Sequence, residues 1–542
     1  MPTRDATTLL CVPIMADDPL VAKRDALLAA ELGADLVEYR VDNLFHGEGD
    51  EEGQRAVLEL VEDSPLPCIV TCRPTFEGGD YDGDDSARIS LYEALGTSDH
   101  PPKYIDVELA TYQRSANLRQ KVRLAVDHDA QHRDVSTSLI LSAHDFEKRP
   151  DGLLKILLDM REDGAHKVTK LAYRARSVRD ILELFEILRE RDRPTIALGM
   201  GEAGLASRVL APKFGAFLTF ASLRDESATA PGQPTIRDLL DLYRFRSINA
   251  ETQVYGVVGH PVAHSKSPLI HNAGFGATGT NAVYLPLPVP PEWEHFKATV
   301  LALLHDEHLD LRGLSVTIPH KAHALKLARE QGWGIDPISA RAGAANTITK
   351  HDDGTISVSN TDGAAALACL RDALTRDIAG AHVAILGAGG VARGIAAALL
   401  DTGARIHIYN RTKDNADALA SDLRDHLTNG TNLDAAPLEA LPDTAHDAYI
   451  NATSIGMTGG PAPEDAPLQE SHMQRLAEQT VIMDTVYTPI DTPFLRQARQ
   501  NGLQTIDGER MFLRQAAAQF EQWTCQTAPI DAFKAAMRAT AP

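Results

Sequence analysis

Cysteine is scarce in this sequence, and the few cysteines are scattered. Five occur among 542 residues, at positions 11, 68, 72, 369 and 525. An odd number without regular spacing gives no sign of a disulfide framework. Cys68 and Cys72 have the spacing of half a zinc site, but no second Cys or His pair follows nearby. The apolar run around them therefore predicts a strand and not a metal site.

Long apolar runs and a surplus of basic charge are also missing. No run approaches the roughly 20 apolar residues that span a bilayer, and the first residues lack the apolar core of a signal peptide. We therefore expect a cytoplasmic protein. The net charge of -22 argues against nucleic acid or an anionic membrane as the main partner, but it allows local basic pockets for acidic ligands. The length predicts about two to four domains.

The first half of the chain alternates short β-rich runs with longer helical patterns. The candidate strands are 8–14, 35–40, 68–73, 104–109, 138–144, 167–172, 195–199 and 216–221. Repeated β/α units of this kind predict an α/β fold, a (β/α)8 TIM barrel, with a doubly wound open sheet as the alternative. A Gly-rich dinucleotide turn, typical of the open sheet, is absent from this half. In such a barrel the chemistry lies at the carboxyl ends of the strands.

Polar side chains recur at the predicted strand ends. Lys170 ends the sixth strand, where burial would favour a neutral amine that can attack a ketone and form a Schiff base. Taken alone, it is more simply a lysine that reaches solvent. His144 is suited to proton transfer at neutral pH. Arg40, Arg73 and Arg208 would form a positive pocket for a carboxylate and further favour the neutral amine.

Six short motifs together resemble type I 3-dehydroquinate dehydratase over about residues 5–245. They are Glu-Tyr-Arg-Val-Asp (38–42), Thr-Cys-Arg-Pro-Thr-Phe-Glu-Gly-Gly (71–79), Ser-Ala-His-Asp-Phe (142–146), Lys-Leu-Ala (170–172), Ser-Arg (207–208) and Ala-Pro-Gly-Gln (230–233). The resemblance implies that Lys170 forms an imine with the C3 ketone of 3-dehydroquinate. It implies that His144 moves the C2 proton and assists loss of water, and that Glu77 positions His144 or relays protons. The implied substrate pocket comprises Glu38, Arg40, Arg73, Arg208, Thr229 and Gln233. Thr229 stands where the family usually has serine.

The second half begins after a short polar linker, residues 246–253. The next predicted strand leads to Ser265 and Ser267, just before a helical pattern; hydroxyls and free N–H groups there suit a carboxylate, but a plain helix cap is equally compatible. The histidines at positions 260, 264 and 271 are spaced too irregularly for a metal site. Lys321 and Asp362 come from separate loops and form a plausible proton-transfer pair. The alternative is a surface lysine and an aspartate in a local turn.

A glycine-rich turn follows the predicted strand 381–386. Gly387-Ala-Gly-Gly-Val-Ala392 has the Gly-x-Gly-x-x-Ala form and leads into a helix, which predicts a dinucleotide-binding turn. The next strand, 405–409, ends in Asn410-Arg-Thr-Lys413. Domains that bind NAD usually carry an acidic residue at that strand end, so Arg411, with Lys413 near it, favours a 2′-phosphate and hence NADP(H).

These motifs resemble shikimate dehydrogenase over about residues 253–535. The resemblance implies that Lys321 and Asp362 exchange the proton at the C3 oxygen while NADPH delivers hydride. The implied shikimate contacts are Ser265, Ser267, Thr317, Asn346, Tyr487 and Gln515. The implied cofactor contacts are Gly387, Ala388, Gly389, Gly390, Val391, Ala392, Asn410, Arg411, Thr412, Thr453 and Gly508. Two departures are Ser315, where the family usually has Asn, and Val358, where Gly is common.

The two resemblances together point to the plant-type fusion of these families in the shikimate pathway. The expected domains are the barrel (1–248), a substrate lobe (253–362 with 508–542) and a Rossmann-like NADP lobe (363–507). The expected partners are small molecules, namely 3-dehydroquinate, 3-dehydroshikimate and shikimate, with no metal, nucleic acid or membrane. The alternatives are a quinate dehydrogenase that uses NAD, or a non-catalytic regulator that senses quinate or shikimate. The complete set Lys170, His144, Lys321 and Asp362 argues against a regulator.

Overall fold

The structure of the protein is a computed structural model, which describes residues 7–128, 131–162, 164–225, 232–427 and 432–539. The chain divides into two compact units. The first comprises residues 1–252 and 281–283, and the second comprises residues 253–280 and 284–542. Among the described residues, none of the helices combines the length and the apolar content that a membrane crossing requires.

Eight parallel strands form the centre of the first unit. They are β1 (Leu9–Met15), β2 (Leu36–Arg40), β3 (Cys68–Thr71), β4 (Tyr104–Glu108), β5 (Ser138–Asp145), β6 (His166–Arg174), β7 (Thr195–Met200) and β8 (Leu218–Phe220). The sheet order is β7-β6-β5-β4-β3-β2-β1-β8. Between β7 and β8, where the sheet order ends, the Phe217 N–H donates to the Thr195 carbonyl at 2.8 Å. The sheet is therefore a nearly closed barrel, which confirms the predicted fold and not the open sheet.

Helices connect consecutive strands of the barrel. They are Pro19–Glu31, Glu51–Glu62, Asp85–Gly96, Leu109–Arg114, Ala116–Ala125, Leu153–Glu162, Asp180–Arg189 and Leu205–Val209. The first begins where its sequence predicts, because the Asp18 carboxylate accepts from two backbone N–H groups and Pro19 occupies the first turn. After β8 the chain is wound as a π-helix over Asp238–Leu242.

The inward face of the barrel is apolar below the level of its mouth. Val168 and Ala172 of β6 pack there with Ile140, Ile196 and other buried strand residues. Side chains alternate along a strand, so Lys170 lies on the same inward face between Val168 and Ala172. The prediction that Lys170 ends its strand was wrong, because β6 continues to Arg174. The lysine is in the middle of the strand and inside the barrel.

The second unit contains two six-stranded sheets. The first sheet comprises β9 (Gln253–Gly259), β10 (Ala282–Pro288), β11 (Leu311–Val316), β12 (Gly334–Ile335), β13 (Thr347–Lys350) and β14 (Ile356–Ser359). Its order is β10-β9-β11-β13-β14-β12. Parallel pairing of β9 with β11 gives way to antiparallel pairing of β11 with β13 and of β13 with β14, so this sheet is mixed.

The second sheet is entirely parallel. It comprises β15 (His382–Leu386), β16 (Arg405–Asn410), β17 (Asn432–Pro437), β18 (Ala448–Asn451), β19 (Val481–Asp484) and β20 (Gln504–Ile506). The order β17-β16-β15-β18-β19-β20 is the doubly wound order of dinucleotide-binding sheets. Val383 and Ile385 of β15 pack in one core, and Ala384 and Leu386 pack in another. Both faces are therefore covered, which explains why β15 is a continuous apolar run.

Helices of the second unit surround both sheets. They are Ser267–Thr278, Trp293–His305, Lys321–Gln331, Pro337–Ala342, Thr361–Ala373, Gly390–Leu399, Lys413–Arg424, Glu470–Met473, Pro493–Gln500, Gly508–Thr524 and Ile530–Ala539. The helix Thr361–Ala373 is capped by Asn360, whose side-chain oxygen accepts from the Gly363 N–H at 3.2 Å. The helix crosses Gly390–Leu399 so closely that a Cβ on Gly363 would lie 2.2 Å from the Gly394 carbonyl oxygen.

The close helix crossing predicts that Gly363→Ala destabilises the second unit. The obstacle is backbone, which cannot rotate away, so we expect a loss of about 1–3 kcal/mol in the free energy of unfolding. Differential scanning calorimetry of the full chain measures it. Gly152→Ala is the matched control, since nothing lies within 4 Å of a Cβ built at Gly152. Equal free energies of unfolding for the two variants would contradict the close approach of the two helices at Gly363.

Candidate functional sites

A cavity at the mouth of the barrel collects most of the side chains predicted for the first site. Its lining comprises Glu38, Arg40, Arg73, Glu77, Gly78, His144, Phe146, Lys170, Ala172, Leu198, Met200, Arg208, Phe220 and Gln233. Eight predicted site residues therefore converge, although they come from six segments of the chain. Thr229, which was also predicted, lies outside the described residues.

Lys170 lies at the inner end of this cavity with carboxylates as its partners. Its Nζ donates to Asp106 Oδ2 at 2.7 Å and to Glu38 Oε1 at 3.2 Å. The same nitrogen lies 4.7 Å from the centre of the Phe220 ring. Lys170 is only 5% exposed. The prediction that arginines surround the lysine was incomplete, since its direct contacts are the two carboxylates.

The arginines of the cavity differ sharply in their pairing. Arg40 pairs with Asp42. Arg73 pairs with Asp106 at 3.0 Å and with Glu108 at 2.6 Å. A buried guanidinium without a counter-charge is costly, so these pairs are expected in the barrel interior. The predicted positive pocket is therefore largely neutralised at Arg40 and Arg73.

Arg208 is the exception. It is 3% exposed, and among the described residues no carboxylate pairs with it. Its Nη1 donates only to the Phe220 carbonyl at 3.4 Å, and its Nε has no hydrogen-bond partner in the described part of the chain. Burial lowers the pKa of Arg208 to about 10. A buried cation in this state is suited to bind an anionic group that enters the cavity.

His144 and Glu77 form a buried pair on the wall of the cavity. His144 Nδ1 lies 2.9 Å from Glu77 Oε2. Burial, and then the charges of Arg73 and Lys170, hold the pKa of His144 well below its usual range. Burial raises the pKa of Glu77 to about 8. The pair is therefore neutral near pH 7, and Nε2 of the imidazole remains available to a molecule in the cavity.

A second cluster lies in the second unit, between its two sheets. Lys321 Nζ donates to Asp362 Oδ2 at 2.6 Å. Lys321 begins the helix Lys321–Gln331, and Asp362 lies in the first turn of the helix Thr361–Ala373. The alternative that Asp362 serves a local turn was wrong, because Asn360 forms the cap of that helix.

Amide and hydroxyl groups surround this pair. The Asn346 side-chain oxygen accepts from the Thr361 N–H at 2.9 Å, and Asn346 Nδ2 donates to Thr361 Oγ1 at 3.0 Å. Gln515 lies at the edge of the same group, with Oε1 3.5 Å from Asn346 Nδ2. Burial, and then the charge of Asp362, raises the pKa of Tyr487. Asn346, Tyr487 and Gln515 thus lie close to Asp362 or to its neighbour Thr361.

The two serines lie at the start of the helix Ser267–Thr278. Ser265 Oγ accepts from the Ser267 N–H at 3.3 Å, while the residue before the helix, Lys266, provides no side-chain cap. The interpretation as a plain serine cap therefore holds only for Ser265. Thr317 is half-buried just after β11, and its methyl group fills the space beside Gly259.

The glycine turn connects β15 to the helix Gly390–Leu399. Gly387 has a φ of +116°, a conformation that residues with a Cβ rarely adopt, and a Cβ on Gly389 would meet nothing within 4 Å. Open space in front of a helix N-terminus suits a pyrophosphate. The second half of the turn comprises Ala388, Gly390, Val391 and Ala392. These residues therefore fit a dinucleotide.

The remaining predicted cofactor residues lie on neighbouring loops. Asn410 ends β16, and Arg411 and Thr412 after it are exposed. Thr453 follows β18, where its hydroxyl donates to the Asn451 side-chain oxygen at 2.6 Å. Gly508 instead packs so tightly that a Cβ would lie 2.1 Å from the Val486 carbonyl oxygen. Its lack of a side chain is explained by packing alone.

Several buried polar residues were not predicted as part of either site. Asp106 and Ser142 lie behind Lys170, and Tyr284, Ser315 and Gln519 form a buried chain in the second unit. Tyr284 Oη donates to Ser315 Oγ at 2.6 Å, and Ser315 Oγ donates to Gln519 Oε1 at 2.8 Å. The signal for Asp106 was available, since an aspartate within an apolar strand needs a partner.

Family models match nearly the whole chain. The model described as type I 3-dehydroquinase matches residues 10–250. The models for the shikimate dehydrogenase substrate binding domain, shikimate / quinate 5-dehydrogenase and the shikimate 5′-dehydrogenase C-terminal domain match residues 257–348, 370–491 and 508–538. Each half of the chain is therefore similar to one known family.

Relatives match in the same arrangement. The bifunctional 3-dehydroquinate dehydratase/shikimate dehydrogenase, chloroplastic, of Arabidopsis thaliana is 35% identical over 546 residues, covering 96% of this chain and 83% of the relative. The shikimate dehydrogenase (NADP(+)) of Methanocella arvoryzae is 39% identical over 286 residues, covering 53% of this chain and 98% of the relative. The similarity to the plant protein thus extends through both units.

Two solved structures are also similar. The dehydroquinate dehydratase and shikimate dehydrogenase from S. pombe has a TM-score of 0.42 and 23% identity, covering 98% of each chain. The shikimate 5-dehydrogenase of Thermus thermophilus, in complex with NADP(H) and shikimate, has a TM-score of 0.45 and 30% identity, covering 54% of this chain and all of that one (100%). The sequence similarity, and not these superpositions, carries the family assignment.

The raised pKa of Glu77 predicts a pH-dependent stability difference. Glu77 ionises near 4.5 when unfolded and at about 8 when folded, so stability falls as pH rises between these values and the cost is complete above about pH 8. Glu77→Gln carries no such cost. We expect its free energy of unfolding, relative to wild type, to increase by about 4 kcal/mol between pH 5 and pH 9, roughly 1.4 kcal/mol for each of about three pH units.

Chemical denaturation at both pH values measures this difference. The control is Glu59→Gln, which removes an exposed glutamate from the helix Glu51–Glu62. A pH-independent difference for Glu77→Gln would show that Glu77 is ionised throughout this range.

Proposed function

The chain belongs to the family of bifunctional 3-dehydroquinate dehydratase/shikimate dehydrogenases, and from this premise we infer what each unit does. It catalyses two consecutive steps of the shikimate pathway. The first unit dehydrates 3-dehydroquinate to 3-dehydroshikimate. The second unit reduces 3-dehydroshikimate to shikimate with NADPH.

In the first unit we assign the role of nucleophile to Lys170. The neutral amine attacks the C3 carbonyl carbon, the carbonyl oxygen leaves as water after protonation, and a protonated imine forms. The imine withdraws electrons from C2. His144 accepts the C2 proton, the electron pair forms the C1–C2 double bond, and the C1 hydroxyl leaves as water with a proton from His144. Hydrolysis of the imine restores Lys170 and releases the ketone.

The observation that supports this assignment best is the coexistence of Lys170 and Arg208 in one cavity. Lys170 supplies the nitrogen, and Arg208 is a buried cation for which the described residues provide no carboxylate. The substrate carboxylate would supply that missing charge. Glu38, Arg40, Arg73 and Gln233 would contact the hydroxyls. Glu77 would hold His144 through Nδ1 and leave Nε2 facing the substrate.

In the second unit we assign proton transfer to Lys321 and Asp362. When bound, NADPH supplies the hydride for the reduction. The carbonyl oxygen that becomes a hydroxyl needs a proton, and Lys321, which is hydrogen-bonded to Asp362 at 2.6 Å, can donate it. Ser265, Ser267, Thr317, Asn346, Tyr487 and Gln515 would hold the substrate. The glycine turn, Asn410, Arg411, Thr412 and Thr453 would hold the cofactor.

We also propose the functional boundaries of the lobes. Residues 1–248 form the dehydratase, residues 253–362 with 508–542 form the substrate lobe, and residues 363–507 form the NADP lobe. The substrates are small acids, in keeping with the acidic chain and its local basic residues. The NAD-dependent quinate dehydrogenase is the less favoured alternative, because relatives of the second unit are named as NADP(+) enzymes.

A coupled assay tests the order of the two activities. Wild type given 3-dehydroquinate and NADPH should consume NADPH. Lys170→Ala should abolish this consumption, at least about 1000-fold, because no imine can form. Supplying 3-dehydroshikimate should restore it.

The control is Lys167→Ala, three residues earlier on β6 and not part of the cavity lining. This variant should retain the coupled rate. If Lys170→Ala still consumed NADPH from 3-dehydroquinate, Lys170 would not be the nucleophile. Faster turnover of quinate with NAD would instead establish the alternative for the second unit.

Arg411 predicts the preference between cofactors. Its guanidinium is exposed at the end of β16, where the 2′-phosphate of NADPH would lie. Arg411→Ala should lower kcat/KM for NADPH about 10–100-fold and change kcat/KM for NADH less than about threefold. Arg424→Ala, at an exposed arginine of the next helix, is the control. An equal loss with both cofactors would refute a role in phosphate recognition.

A further inference from the structure

A row of alternating charges continues from Lys170 into the barrel wall. Asp106 contacts Lys170, Arg73 contacts Asp106, and Glu108 contacts Arg73. Arg88, which is fully buried, contacts the other oxygen of Glu108 at 2.6 Å. Each inner charge of the row, Asp106, Arg73 and Glu108, therefore has an opposite charge on either side of it. The assigned chemistry uses the lysine at one end of this row and leaves Asp106 without a role.

Three side chains hold Asp106 in place. It accepts from Lys170 Nζ at 2.7 Å and from Ser142 Oγ at 2.6 Å, and it pairs with Arg73 at 3.0 Å. It has no exposed surface. Burial alone would raise the pKa of Asp106, but Arg73 and Lys170 outweigh burial and hold it well below its usual range. Asp106 therefore stays a carboxylate at every pH at which the protein works.

Glu38, the second carboxylate on Lys170, is placed differently. It lies on the cavity lining, 3.2 Å from Nζ, and accepts from Thr71 Oγ1 at 2.7 Å. Asp106 is not part of that lining. A ligand can therefore reach Glu38, whereas Asp106 is fully buried and contacts Lys170 Nζ from outside that lining. The two carboxylates cannot have the same role.

Imine formation attaches the substrate carbon to Nζ, but the nitrogen carries a positive charge both before the reaction, as an ammonium, and after it, as a protonated imine. The ammonium must first lose a proton, which the neutral imidazole of His144 in the same cavity can take and pass to the departing carbonyl oxygen. That oxygen leaves as water, and the protonated imine is again a cation at the same nitrogen. Asp106 cannot keep the released proton, because two cations and a hydroxyl stabilise its anionic form. It is therefore no general base. What it offers is a fixed negative charge close to the nitrogen before and after the reaction.

We propose that Asp106 is the counter-ion of the Schiff base: it stabilises the protonated imine on Lys170 from the side that the substrate cannot reach. This inference rests on the proposed function of the first unit. It deepens that proposal, since it explains how a cation persists inside the barrel while the substrate is attached. The same charge also favours the ammonium in the free enzyme, so it makes the first attack harder and the intermediate more stable.

The test is reductive trapping with Asp106→Asn in the full chain. Protein is incubated with 3-dehydroshikimate and cyanoborohydride, without NADPH, across pH 6–9. Hydride from cyanoborohydride adds to the imine carbon and leaves a stable secondary amine, which intact-mass measurement counts. At pH 7.5 we expect trapping in Asp106→Asn to fall at least about tenfold, because the imine loses its counter-ion. We also expect the acidic limb of the dehydration rate to move to lower pH.

Asp106→Asn and wild type must share every other titratable or charged group that faces the Lys170 nitrogen. They are Glu38, Arg40, Arg73, Glu77 and His144. The matched control is Glu108→Gln, which removes a buried carboxylate two residues further along β4 that contacts Arg73 but not Lys170. It should lower stability while trapping stays within about threefold of wild type. NADPH oxidation with 3-dehydroshikimate verifies in each variant that the second unit is intact.

Ser142→Ala keeps the inference testable if Asp106→Asn fails to fold. Loss of the Ser142 hydroxyl removes one donor that offsets the charge of Asp106, so the acidic limb should shift slightly to higher pH, opposite to Asp106→Asn. The counter-ion role of Asp106 would be refuted if Asp106→Asn trapped as much secondary amine as wild type. It would also be refuted if Asp106→Asn and Glu108→Gln lost trapping equally. Absence of trapping in wild type would instead overturn the proposed function itself.

Discussion

A cation buried inside an apolar barrel constrains everything around it. Lys170 lies between Val168 and Ala172 on the inward face of β6, and the transfer of an uncompensated charge to such a place costs several kcal/mol. The barrel compensates with Asp106 and Glu38. These carboxylates would repel one another without further cations, so Arg73 and Arg88 are buried too. The row of charges is the consequence of placing one nucleophilic amine at that depth.

Within the described part of the chain, this compensation leaves the guanidinium of Arg208 without a carboxylate partner. Arg40 and Arg73 have carboxylate partners, whereas Arg208 has none among the described residues. If all three arginines had carboxylate partners, the cavity would not attract an anionic ligand. If none of them had such a partner, three uncompensated buried charges would destabilise the barrel. The first unit thus separates the charges that hold the site together from the one that remains for the substrate.

The sequence predicted the elements well and the depth of the side chains poorly. Apolar runs between turn residues predict the approximate strand boundaries. His144 was predicted on the fifth strand and Lys170 on the sixth, and the structure has them on β5 and β6. Nothing local to β6 shows that the strand continues to Arg174, so Lys170 was expected at its end. Asp106 is 64 residues from Lys170, and only closure of the barrel makes them neighbours. The capping role of Asn360, by contrast, was local and could have been predicted.

The proposed mechanism gives the lysines of the two units different chemistry, and their surroundings differ accordingly. In the barrel, Lys170 is 5% exposed, and in the proposed mechanism its nitrogen attacks carbon. In the second unit, Lys321 begins a helix, is half-buried and has one carboxylate, Asp362, at 2.6 Å. In the proposed mechanism Lys321 gives a proton to an oxygen and attacks no carbon. Burial separates the two lysines little, since the side chain of Lys321 is 12% exposed and that of Lys170 is 6% exposed. Their partners differ more: Lys170 contacts two carboxylates, Asp106 and Glu38, whereas the structure pairs Lys321 with Asp362. A second carboxylate gives the nitrogen of Lys170 a negative neighbour that is separate from the group a ligand reaches, which suits a cation that stays in the barrel during the proposed reaction.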